Sequence, residues 1–68
     1  MNDYREIKTK LIPKASQALG ELTARTGLSE TDIVNRALQI YASIDAEQAD
    51  GAEIILRKEG TAHVLTWQ

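Results

Sequence analysis

Sixty-eight residues, 43 % hydrophobic and 26 % charged with a formal net charge of −2, describe one small folded domain rather than a disordered chain. Domains of about 60 residues are only marginally stable alone, and with no cysteine to staple this one, oligomerisation is the expected remedy. A single histidine and no cysteine exclude thiolate metal sites and Cys-His catalysis.

From Arg5 to Leu11, Ile7, Thr9 and Leu11 alternate with Glu6, Lys8 and Lys10. A period of two predicts a strand with one drier face and one charged face. Pro13 suits the first turn of a helix, where its missing N–H is no loss. From Pro13 to about Thr26 the apolar residues Ala15, Ala18, Leu19 and Leu22 recur at steps of three and four, the spacing of one helical face. Gly20 inside that helix is unfavourable by roughly 1 kcal/mol relative to Ala. Gly27 reads as the left-handed residue past the helix end, with Leu28 folding back on the last turn. Ser29 follows as an N-cap, with Asp32 as a shortened capping-box acid.

A second helix is expected from about Glu30 to Asp45. Its apolar set, Ile33, Val34, Ala37, Leu38, Ile40, Tyr41 and Ile44, covers more circumference than one small neighbour can shield, so both the first helix and a second subunit are needed. Polar residues 46–51, ending in Asp50-Gly51, predict a stop and a turn. Two β-rich runs, 53–57 and 62–67, then flank Lys58-Glu59-Gly60-Thr61 and predict a hairpin apolar on both faces. A two-residue loop at Glu59-Gly60 sets Ile54 opposite Leu65 and Ile55 opposite Val64; a three-residue loop shifts every pair by one. Tyr41 and Trp67 read as packing anchors, and His63 as an ordinary strand side chain rather than a ligand.

Charge is unevenly spread. Residues 1–14 carry Arg5, Lys8, Lys10 and Lys14 against Asp3 and Glu6, a net +2; residues 15–50 are net −4, and residues 51–68 balance to zero. The positive excess is therefore confined to the first segment. No glycine-rich phosphate loop, no metal-ligand set and no catalytic triad outside His63 is present, so neither an enzyme nor a cofactor is expected. No run approaches the ~18 apolar residues of a membrane span and the first residues do not resemble a signal peptide, which predicts a cytoplasmic protein.

The order strand, helix, Gly-Leu-Ser turn, helix resembles the ribbon-helix-helix DNA-binding proteins, the Arc, MetJ and CopG-like superfamily, over about residues 5–45. The most specific parts are the alternating stretch Glu6 to Leu11 and the run Thr26-Gly27-Leu28-Ser29-Glu30-Thr31-Asp32-Ile33-Val34-Asn35-Arg36-Ala37-Leu38. The resemblance implies an α+β homodimer in which two strands pair antiparallel into an intermolecular ribbon over four helices. A C-terminal β-hairpin is added to that frame, giving a DNA-binding and dimerisation domain over residues 1–50 and an extension over 51–68.

The resemblance further implies that Glu6, Lys8 and Lys10 contact bases in the major groove of double-stranded DNA. Arg5 and Lys14, with the backbone amides of Ser29 and Glu30, contact phosphates. Ile7, Leu11, Leu22, Ile33, Val34, Ala37, Leu38 and Tyr41 form the dimer core. The expected function is that of a small transcriptional repressor, nucleoid-associated when bound. Three features depart from the family pattern: Thr9 at an inward strand position, the poor N-cap Ile12, and the hairpin. The alternative is an antitoxin-like or inhibitory interaction protein that uses residues 52–68 to hold a protein partner.

Overall fold

A computed structural model describes residues 3–66. They form helices α1 (Pro13–Thr26) and α2 (Glu30–Ala49) and strands β1 (Ile55–Lys58) and β2 (Thr61–Val64), which pair into one antiparallel sheet. The architecture is small α+β. The chain divides into two units after Ile33, in the first turn of α2.

In the first unit, residues 3–12 have no regular secondary structure and are exposed. The alternation at 5–11 predicts a strand, but a strand needs a neighbour to take its backbone bonds. Among the described residues of a single chain this stretch has none. α1 starts where Pro13 allows it: the Ser16 amide donates to the Ile12 carbonyl at 2.9 Å, while Ile12 sits in extended geometry and supplies no side-chain cap. At the other end, Gly27 has φ 75° and its amide donates to the Thr23 carbonyl at 3.0 Å. That single bond is the αL stop expected of glycine in this position. Thr26 braces the turn, its hydroxyl donating to the Leu22 carbonyl at 2.7 Å and accepting from the Leu28 amide at 3.2 Å.

The half-buried positions of α1 are Ala15, Leu19 and Thr23, an i, i+4, i+8 row, whereas Ala18 and Leu22 are exposed. The expected face is thus rotated toward Thr23, whose polarity disguised it. Gly20 lies open, since a Cβ there would meet nothing within 4 Å.

α2 begins at its cap. The Asp32 amide donates to Ser29 Oγ at 3.1 Å and the Ile33 amide to the Ser29 carbonyl at 3.0 Å. The helix runs to Ala49, four residues past the expected end at Asp45. Ala46-Glu47-Gln48-Ala49 is polar, yet every member is a good helix former, so nothing stops the helix before glycine. Gly51 at φ 91° then ends it in a Schellman motif: the Ala52 amide donates to the Glu47 carbonyl at 3.0 Å and the Gly51 amide to the Gln48 carbonyl at 2.9 Å.

The hairpin resolves its own register. Ile55 pairs with Val64 and Lys58 with Thr61, and the Leu65 amide donates to the Ile54 carbonyl at 2.7 Å. Glu59-Gly60 is therefore the whole loop, with φ values of 51° and 82°. Two successive left-handed residues make a type I′ turn, the form that matches strand twist. The strands sit closer to the turn than the β-rich runs suggested, and Trp67 lies outside the described residues. Within the second unit, Tyr41, Gln48, Leu65 and Thr66 line an open recess of about 260 Å³.

Burial is sparse. Ile33, 6 % exposed, is the buried side chain among the described residues, while Val34, Leu38, Ile40 and Tyr41 are between 44 % and 58 % exposed. A helix with that much wet apolar surface gains about 25 cal/mol for each Å² it removes from water on association. We predict that the unfolding midpoint rises with protein concentration across the micromolar range, because stability is linked to association. A concentration-independent midpoint with a monomeric mass in sedimentation equilibrium contradicts this.

A second prediction concerns Glu59, a non-glycine residue held at φ 51°. Left-handed backbone is disfavoured for most side chains by roughly 1–2 kcal/mol, and asparagine tolerates it far better. Glu59→Asn is expected to slow amide exchange at Leu56 and Lys58 by about fivefold, matching roughly 1 kcal/mol of hairpin stability. Unchanged or faster exchange refutes the strain.

Candidate nucleic-acid interface

The candidate DNA-contacting residues all belong to the first unit and all are exposed. Arg5, Glu6, Lys8 and Lys10 lie in the irregular stretch before α1, and Lys14 is the second residue of the helix. Four cations and one anion thus occupy ten consecutive residues, a net +3.

The start of α1 extends that positive region. Ile12 offers no side-chain acceptor and the first turn contains no acid. The positive end of the helix dipole is therefore reinforced by Lys14 instead of being neutralised.

α2 begins differently. Ser29 Oγ already accepts the Asp32 amide, and Glu30 and Asp32 place two carboxylates in the first turn. Those acids stabilise the helix through its dipole. They also oppose an approaching anion, so at this end only short-range bonds from the Ser29 and Glu30 amides and the Ser29 hydroxyl proton remain to hold a phosphate.

Within one chain the two groups stand at opposite ends of α1, a helix of 14 residues that spans about 21 Å. Lys14, in the first turn of α1, and the capped start of α2 are therefore separated by about the length of that helix.

Of the candidate dimer-core residues, Ile33 is buried; Ile7, Leu11, Leu22, Val34, Ala37, Leu38 and Tyr41 are exposed in the single chain. Sequence reasoning overlooked Thr26, whose two hydrogen bonds fix the turn that presents Ser29. The signal was the threonine immediately before the helix-ending glycine. His63 is exposed on β2 opposite Leu56. No helix among the described residues is long and apolar enough to cross a membrane, and no cluster of His, Asp and Glu among them is arranged to hold a metal ion. Comparison with known proteins finds no matching family model, no similar curated protein and no similar solved structure.

Ser29→Ala removes the acceptor for the Asp32 amide, and loss of such a cap typically destabilises by about 1 kcal/mol. We expect the variant to unfold at lower denaturant concentration with an unchanged m-value. Ser29→Asp should restore stability. A neutral Ser29→Ala variant contradicts the cap's role.

Proposed function

We propose that the chain acts as a homodimeric DNA-binding protein of the ribbon-helix-helix type, a small transcriptional repressor that works by occupying its operator. The observation that carries this reading is the exposed, net +3 stretch at 5–14, irregular as far as Ile12 and running into an electropositive helix start at Pro13-Lys14, within a chain of overall charge −2.

In this reading the 5–11 stretches of two chains pair antiparallel and enter the major groove. Pairing supplies each stretch with the neighbour that a single chain lacks. Lys8 and Lys10 donate to guanine O6 and N7, and Glu6 accepts from cytosine N4. Arg5, Lys14 and the amides at Ser29 and Glu30 hold the phosphates on either side. Ile7 and Leu11 turn inward onto the exposed apolar residues of α2, so that groove reading and dimer formation become one event. Doubling the stretch doubles its charge on one surface, which lets a net acidic protein carry a basic edge.

A second reading, an antitoxin-like or inhibitory protein acting through residues 52–68, draws support from the exposure of Ile55, Leu56 and Val64. It predicts a protein partner in place of DNA.

The deciding experiment is binding to duplexes selected from a random pool. Lys8→Ala and Lys10→Ala should each weaken the selected site by about 1–3 kcal/mol, roughly 5- to 150-fold, and relax preference at one base pair, with native circular dichroism. Affinity should fall with a log-log salt slope of about −0.9 per phosphate neutralised. No preferred duplex, or an affinity flat with salt, overturns the reading in favour of the protein partner.

A further inference from the structure

The two edges of the hairpin are not equivalent. The bond from the Leu65 amide to the Ile54 carbonyl marks Ile54 and Leu65 as a hydrogen-bonded pair. Antiparallel alternation then makes Leu56–His63 and Lys58–Thr61 the other bonded pairs, and leaves Ile55–Val64 and Arg57–Ala62 as the non-bonded ones. The backbone groups of Ile55 and Arg57 face out along the β1 edge. Those of Ala62 and Val64 face out along the β2 edge.

Exposed edges invite another strand, and proteins blunt them with charge, proline or a bulge. β1 carries Arg57 and Lys58, two adjacent cations. Thr61-Ala62-His63-Val64-Leu65-Thr66 has no lysine, arginine, acid or proline, and it is rich in β-branched residues. Its ladder with β1 is also regular, without a bulge. One edge is protected and the other is open.

The character of the open edge points to its occupant. It has no fixed charge to attract a charged peptide, and none to repel a copy of itself. Pairing β2 with the β1 edge of another molecule would continue without closing, and would bring Arg57 and Lys58 against an uncharged strand. Pairing β2 with β2 closes on a two-fold axis and leaves both charged edges outermost.

We propose that the β2 edge is a self-association surface, pairing antiparallel with β2 of a second copy of this chain about an axis at Val64. The product is a four-stranded sheet of order β1-β2-β2-β1. Val64 then faces its own counterpart, Ala62 faces Thr66 and His63 faces Leu65, all uncharged or apolar pairs apart from the histidine. An isolated two-stranded hairpin is marginal in water, and a sheet of three or more strands is not. This pairing uses no residue of the DNA-binding reading and does not rest on it.

Amide hydrogen exchange on the full chain tests the proposal without altering it. The amides of Ala62 and Val64 should exchange at least about tenfold more slowly than those of Ile55 and Arg57, and this protection should fall on dilution. Equal rates at the two edges overturn the proposal. So does protection that dilution does not change, which would mean that the chain covers its own edge. In a protein without cysteine, Val64→Cys should oxidise to a disulfide-linked dimer, because opposed bonded residues lie about 5.5 Å apart between Cα atoms. Ile55→Cys should not. No link through Val64→Cys, or equal links from both variants, refutes the pairing.

Discussion

The structure turns on a shortage of interior. One side chain, Ile33, is buried among the described residues, although 43 % of the chain is hydrophobic. Ordering a residue's backbone opposes folding by roughly 1–2 kcal/mol, and only apolar burial on a larger scale offsets that sum. The exposed residues Val34, Leu38, Ile40 and Tyr41 therefore represent stabilisation that the single chain does not realise. Anything that covers them completes the fold as well as forming an interface.

What the chain does specify is local. Pro13 at the start of α1, Gly27 at its end, Ser29 at the start of α2 and Glu59-Gly60 at the hairpin turn were all legible in the sequence, because each acts through backbone geometry within a few residues. The hairpin register followed from the loop length, which the sequence left between two values. The polar run 46–49 does not stop α2, because Ala, Glu and Gln are all good helix formers, and Gly51 ends it instead. Thr23 was missed on the half-buried row for a related reason: its hydroxyl is satisfied by the Gly20 carbonyl at 2.9 Å, so its methyl group can take an apolar position.

The stretch at 5–11 shows the limit of this legibility. Its alternation is as clear as that of any strand, yet alternation describes only what two faces would meet. A partner backbone must come from elsewhere, and nothing local supplies it. The candidate site shares that dependence. In the proposed complex Glu6, Lys8 and Lys10 read the groove and Arg5 holds a phosphate, but their orientation follows only once the backbone beneath them is paired.

The two helix starts divide the electrostatic work in the proposed complex. At α1, an uncapped end and Lys14 project a positive field, which acts at a distance and is screened by salt within about 10 Å at 0.1 M. At α2, Glu30 and Asp32 cancel much of the corresponding field, so a phosphate held there is held by hydrogen bonds at contact range. Steering toward DNA then belongs to the 5–14 stretch, whereas the α2 start acts only after docking. A chain that is net acidic over residues 15–50 can still approach a polyanion on these terms, because its positive excess is gathered in residues 1–14. In the proposed complex the acids of α2 thereby also limit indiscriminate binding: where no groove admits the leading stretch, the net −4 of residues 15–50 opposes the phosphate backbone.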